Sequence, residues 1–129
     1  MIGFSNSSQG AGVGRLSAGV LDLGTGGSGR TLISSEYINN SNKWYYVGFT
    51  FDQGDFKIYI DGVISVPVYD TATNITTLYD SNAPITIGSL NTGAGFVNSK
   101  ISQVSIYNKA LSSEEIRQNF EATKGRFGL

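Results

Sequence analysis

The 129-residue chain has no cysteine and no histidine, only two prolines and a single tryptophan. Without cysteine there is no disulfide framework, thiol nucleophile or thiolate metal site. The compartment stays open, because a robust extracellular particle can also be cysteine-free. Without histidine, nucleophilic triads are excluded in their usual forms. Charged residues make up 15% of the composition and the formal net charge is -1. No basic stripe is present to neutralise phosphates, which argues against nucleic acid as a partner. The longest apolar run falls far short of the roughly 18 residues of a membrane-spanning helix. Met1-Ile2-Gly3 also lacks the charged and apolar regions of a signal peptide. The expectation is a chain that does not insert into a membrane.

What is present is Gly, Ser, Thr and Asn filling the gaps between short apolar runs, the composition of a β-sandwich or barrel. The length suits one domain. Residues 1–14 read as a flexible N-terminal segment and 15–129 as the domain. "RLSAGVLDLG" and "RTLISSEYI" read as strands joined by "GTGGSG". "KWYYVGFTFD" is the strongest strand pattern, and Trp44, which opens it, is placed in the core. In "FKIYIDGVISVPV", Phe56, Ile58 and Ile60 share one face while Lys57, Tyr59 and Asp61 share the other. Asp61-Gly62 is a favoured two-residue turn, so this run is a hairpin. "VYDTATNITTLYDSNAP" is expected to be a surface loop, and "ITIG" and "KISQVSIYN" to complete the strands.

The period changes at the C-terminus. Ser112 followed by Glu115 fits a capping box, and Leu111 with Ile116 a hydrophobic staple. Ile116 and Phe120 then fall on one helical face, Arg117 and Glu121 form an i,i+4 pair on the wet side, and Gly125 stops the helix. A helix of about three turns is too short to stand alone, so it must lie against the sheet.

Three chemistries can be weighed from the residues. "GTGGSGRT", 24–31, has the spacing of a phosphate-binding loop with Arg30 in the lysine position, but that mechanism needs a helix next and "LISSEYI" is strand-like. Tyr69-Asp70 and Tyr79-Asp80 bracket the polar loop that also holds Asn74 and Asn82. A tyrosine beside Asp or Asn suits sugar recognition, the ring lying under a pyranose while the polar group takes hydroxyls. The same tyrosines equally suit packing at a strand end or a subunit contact, and both readings stand. Asn74-Ile75-Thr76 matches a glycosylation acceptor, meaningful only in a host that glycosylates.

"WYYVGFTFD", Gly54, "KIYIDGV", "ITIGS" and "KISQVSIYNKALSSEEI" follow in the order and spacing of the concanavalin A-like jelly roll of the laminin G/pentraxin type, which the chain resembles from about Arg15 to its end. The resemblance implies an all-β, antiparallel jelly-roll β-sandwich with a short C-terminal α-helix packed beside it. It implies a binding module for a glycan or host surface. The jelly roll also carries glucanases, whose chemistry needs two carboxylates about 5–10 Å apart. Here three of the four glutamates, Glu114, Glu115 and Glu121, fall on the terminal helix with Glu36 elsewhere, so the expectation is no enzyme. Relatives often bind calcium through loop Asp and Asn. Calcium is therefore the implied candidate ion, with Asp70 and Asp80 as metal ligands and Asn74 and Asn82 beside them, although the same residues are ordinary turn formers.

The ending "NFEATKGRFGL" resembles the final segment of lectin-like domains in structural proteins of tailed phages and large aquatic viruses. That implies a virion or extracellular location with other virion proteins as partners. A purely structural decoration or fibre subunit is the alternative. The chain departs from the family in one respect: only about forty residues precede Trp44, where relatives carry several strands. The domain is then reduced, continued in a longer chain, or completed by a partner, and association as a homo-oligomer is the economical expectation.

Overall fold

The computed structural model describes residues 2–4, 14–22, 28–78, 84–89 and 98–129. Alternating apolar residues produce seven described strands: β1 (Ile2–Phe4), β2 (Arg15–Asp22), β3 (Ser28–Tyr37), β4 (Val47–Asp52), β5 (Asp55–Ile60), β6 (Val63–Ser65) and β7 (Pro67–Asp70). They pair antiparallel into two sheets, ordered β1-β2-β3-β7 and β4-β5-β6. Leu16, Ala18 and Val20 of β2, Leu32 of β3 and Phe56, Ile58 and Ile60 of β5 form one buried cluster, so the two sheets face each other as a sandwich. Phe56 stands edge-on to Phe49 and Phe51, with ring centroids 5.9 and 6.1 Å away. The all-β sandwich expected from the sequence is the fold observed.

The two hairpins of the second sheet are set by their turns. Gln53-Gly54 (φ 45 and 96) joins β4 to β5, and Asp61-Gly62 (φ 50 and 77) joins β5 to β6, both left-handed at each central residue as two-residue turns require. Val66 then carries the chain from one sheet to the other. Pro67, which has no N–H for a ladder, opens β7 at the edge of the first sheet. The crossing is fastened by Ser65, whose buried hydroxyl donates to Glu36 and accepts from the Ser35 N–H on β3. Val68, Tyr69 and Asp70 therefore belong to a strand, and the expected surface loop begins only at Thr71. Polar neighbours hide this strand in the sequence, but the open edge of β3 supplies its ladder.

Helix α1 (Ser113–Lys124) lies on the outer face of β5. Both halves of the capping box form: the Ser112 hydroxyl accepts from the Glu115 N–H at 3.2 Å, and Glu115 accepts from the Ser112 N–H at 2.8 Å. Leu111 and Ile116 close over Tyr59 in a second buried cluster, with Tyr46 against it. Replacing Ser112 by Ala is expected to lower stability by about 1 kcal/mol with the fold retained, read as a lower thermal midpoint with an unchanged far-UV spectrum. An unaltered midpoint would argue against the cap.

Several expectations are corrected. Trp44 is not in the core. It lies before β4, is 36% exposed, and rests on Phe127 with ring centroids 5.3 Å apart. The strand starts late because the 43–46 stretch is held by the next hairpin instead of a ladder: Asp61 accepts from the Tyr46 N–H at 3.0 Å and pairs with Lys43 at 2.8 Å. Residues 2–4 form β1 against β2, where a flexible segment was expected. Glu121 pairs with Lys124 at 2.6 Å and not with Arg117. The helix does end at Lys124 with Gly125 as its C-cap, although Gly125 is right-handed (φ -62) and the left-handed glycine is Gly128 (φ 68). "ITIG" and "KISQVSIYN" join no ladder among the described residues, and Ile85, Ile87, Ile101, Val104 and Ile106 are exposed. Alternation specifies a face, but a strand also needs a partner edge.

Candidate binding site at the end of the sandwich

Three elements converge where β3 begins and β7 ends. Arg30 shares the inward parity of Leu32 on β3, and an arginine there requires acceptors. Its Nε and Nη2 donate to the two carboxylate oxygens of Asp70 at 3.0 and 2.8 Å, a two-point grip, and its Nη1 donates to the Gly54 carbonyl at 2.8 Å. One guanidinium thus ties the first sheet to the β4–β5 turn of the second. Gly54 is required at that turn: besides its positive φ, an added Cβ would sit 3.2 Å from the Ile75 carbonyl oxygen.

The segment leaving β7 is held at both ends. Asp70 accepts from the Ala72 N–H at 2.7 Å, closing a turn in which Ala72 takes φ 54. The Thr71 N–H donates to the Thr31 carbonyl at 3.2 Å, and the Thr71 hydroxyl accepts from the Thr31 N–H at 3.0 Å. Ile75, 0% exposed, plugs into the core between the sheets. Asn74 and Thr76 on either side of it are exposed. The result is a short polar loop fixed at its base and presented to solvent.

The guanidinium hydrogen bonds hold the Asp70 carboxyl below its ordinary value, and Asp70 raises Arg30 above its own. A depressed carboxyl contributes stability that is complete above its unfolded value, near pH 4, and lost as pH falls through the folded value. Asp70→Asn is therefore expected to cost about 1 kcal/mol at neutral pH, the pair being partly exposed and screened by salt. The difference should vanish in strong acid. Urea titrations of both proteins at the two pH values check this, and a pH-independent difference would refute the ion pair as its cause.

The residues expected to bind ligand are partly separated. Tyr69 pairs with Ile33 and Asp70 with Leu32, so strand alternation sends the two side chains to opposite faces of the sheet. Tyr69 is 39% exposed on the outer face, while Asp70 closes the sandwich end near Asn74. Tyr79, Asp80 and Asn82 lie outside the described residues. Asp70 does not fit a calcium ligand in this arrangement, because Arg30 already occupies both oxygens with a positive charge. Among the described residues no group of three or more His, Cys, Asp or Glu comes together to hold a metal. The phosphate-loop reading of "GTGGSGRT" fails on structure: Ser28–Tyr37 is a strand, and Arg30 serves Asp70. Sequence reasoning missed Arg30 and Thr71 as the residues that fix the loop. The shared parity of Arg30 and Leu32 was the available signal.

A second concavity, about 350 Å³, lies between β6 and the first turn of α1, lined by Gly62, Val63, Ile64, Ser113, Glu114 and Arg117. The glutamates are dispersed: Glu36 bonds Ser65 on β6, and the other three ride on α1. No curated protein and no solved structure matches the chain. The family model Laminin_G_3, described as the concanavalin A-like lectin/glucanases superfamily, matches residues 2–117. With two facing antiparallel sheets and a capped C-terminal helix, the chain belongs to that family, a superfamily of lectin- and glucanase-type sandwiches.

Proposed function

We propose that the chain is a non-catalytic binding module that takes a glycan through the loop following β7, with Asn74 as its central polar contact, on the surface of a virion. The observation that carries this reading is the loop itself. It is fastened by Asp70 and Thr71 at one end and by Ile75 at the other, so its exposed amide and hydroxyls are ordered before a ligand arrives. Prior ordering lowers the entropy cost of taking a sugar. Tyr69 presents its ring on the outer face of the sheet, away from the loop base, and Tyr79, Asp80 and Asn82 follow the loop in sequence. The virion is supported by the likeness of "NFEATKGRFGL" to lectin-like domains of viral structural proteins. Many copies on one particle turn weak single contacts into avidity toward a host surface.

The test is a glycan array probed with the isolated chain and with Asn74→Ala. The native chain is expected to give hits that Asn74→Ala weakens about tenfold, the effect of one lost hydrogen bond. Chelation of calcium is expected to leave the signal unchanged, since Asp70 is committed to Arg30. An array without hits favours the alternative, a decoration or fibre subunit whose surfaces meet only other virion proteins.

A further inference from the structure

Residues 100–107 run without turn or bend and join no described ladder, although their composition is that of a strand. Ile101, Val104, Ile106 and Tyr107 are half exposed or more, and Ile106 reaches 69%. Ile85 and Ile87 add to this surface: Ile101 Cδ1 lies 3.7 Å from where a Cβ on Gly88 would sit, which brings 84–89 alongside. Six such side chains leave on the order of 500 Å² of apolar surface per copy, as much as the largest patch of a typical monomer, itself often functional, and approaching the roughly 800 Å² per partner of a specific interface.

The chemistry of the run says what can cover it. No charged residue lies between Lys100 and Lys109, and Lys109 is neutralised by Glu115 at 2.6 Å. A formal net charge of -1 sets up little repulsion between copies. Paired antiparallel with itself about Val104, the run sets Ile101 opposite Tyr107, Ser102 opposite Ile106 and Lys100 opposite Asn108. No like charges meet, and a β-branched residue faces an aromatic one. The pattern is self-complementary, as a two-fold interface demands.

We propose that residues 100–107 form an intermolecular strand pair with the same residues of a second copy of this chain, about a two-fold axis at Val104, with Ile85 and Ile87 covered in the same contact. The pairing satisfies backbone groups that the monomer leaves in water, and strand alternation packs Val104 and Ile106 across the two copies on one side of the ribbon and Ile101 with Tyr107 on the other. It is independent of the glycan reading, because the loop after β7 is not part of it.

The test uses sedimentation velocity of the 129-residue chain at low micromolar concentration, with far-UV dichroism on the same sample, together with cysteine crosslinking. The chain has no cysteine of its own, so a disulfide formed by a single introduced cysteine links two copies. At the two-fold centre, Val104→Cys places two thiols on directly opposed residues, about 4.5–5.5 Å apart at Cα and within disulfide reach. Ser102→Cys faces its own copy at an offset of four residues, on the order of 13 Å, and is out of reach. The expected results are a dimer of the native chain, a folded monomer for Val104→Lys, and at least about tenfold more covalent dimer from Val104→Cys than from Ser102→Cys. A folded, strictly monomeric native chain would overturn the proposal. So would a dimer in which the two cysteine variants crosslink equally, a result that holds whether or not Val104→Lys folds.

Discussion

Tyr59→Ala is expected to cost about 3–5 kcal/mol, the range for emptying a buried aromatic site. Tyr59 is 1% exposed, although it points away from the core between the sheets. Its ring is the floor on which Leu111 and Ile116 rest, and its hydroxyl lies 3.2 Å from the Ser113 hydroxyl at the start of α1. Truncation therefore removes the surface that a three-turn helix needs, since such a helix is marginal alone. Against a typical domain stability of about 5–15 kcal/mol, the loss brings the protein close to unfolding. Tyr59→Phe keeps the ring and is expected to cost only about 1 kcal/mol, the net worth of one hydrogen bond. Urea denaturation of the pair separates the two contributions, and equal losses would mean that packing beneath α1 matters little.

Gly62→Ala is expected to cost about 2–4 kcal/mol from two sources, backbone strain and overpacking. Gly62 has φ 77, which a side chain resists. A Cβ there would also lie 2.8 Å from Phe120 Cδ1 and 2.9 Å from its Cβ and Cγ, closer than carbon atoms approach. Phe120 has little room to yield, because its ring is already edge-on to Tyr46 with centroids 5.8 Å apart. The hairpin turn and the helix are thus fitted to each other through a missing side chain. Combining Gly62→Ala with Phe120→Ala separates the sources: the double variant should recover the overpacking part and leave about 1–2 kcal/mol of strain beyond the loss of Phe120 alone. Strict additivity of the two single losses would contradict the contact.

These two sites also show which parts of the molecule can be read from residues alone. The capping box of Ser112 and Glu115, the Leu111–Ile116 staple, the Asp61-Gly62 turn and the alternation of Phe56, Ile58 and Ile60 all depend on neighbours within a few positions. Each appears as its local pattern dictates. What the sequence does not carry is the identity of distant partners. Trp44 looks like a strand opener until Phe127 is placed beside it. Arg30 looks like a phosphate-loop cation until β7 brings Asp70, forty residues further on, within 3.0 Å. Tyr69 and Asp70 look like one sugar-binding pair, and only the register against Ile33 and Leu32 reveals that they face opposite ways. The family match and the fold were legible because they rest on repeated short motifs, whereas the site rests on long-range meetings of single side chains.

The proposal that the ordered loop after β7 takes a glycan and leaves it intact is open to direct test. The most direct measurement is a series of ¹H–¹⁵N correlation spectra of the chain titrated with the strongest glycan from the array. The shifts are expected to centre on Thr73, Asn74 and Thr76, with the glycan unchanged throughout. Shifts confined to residues 62–64 and 113–117, the concavity beside α1, or cleavage of the glycan during the titration, would contradict it.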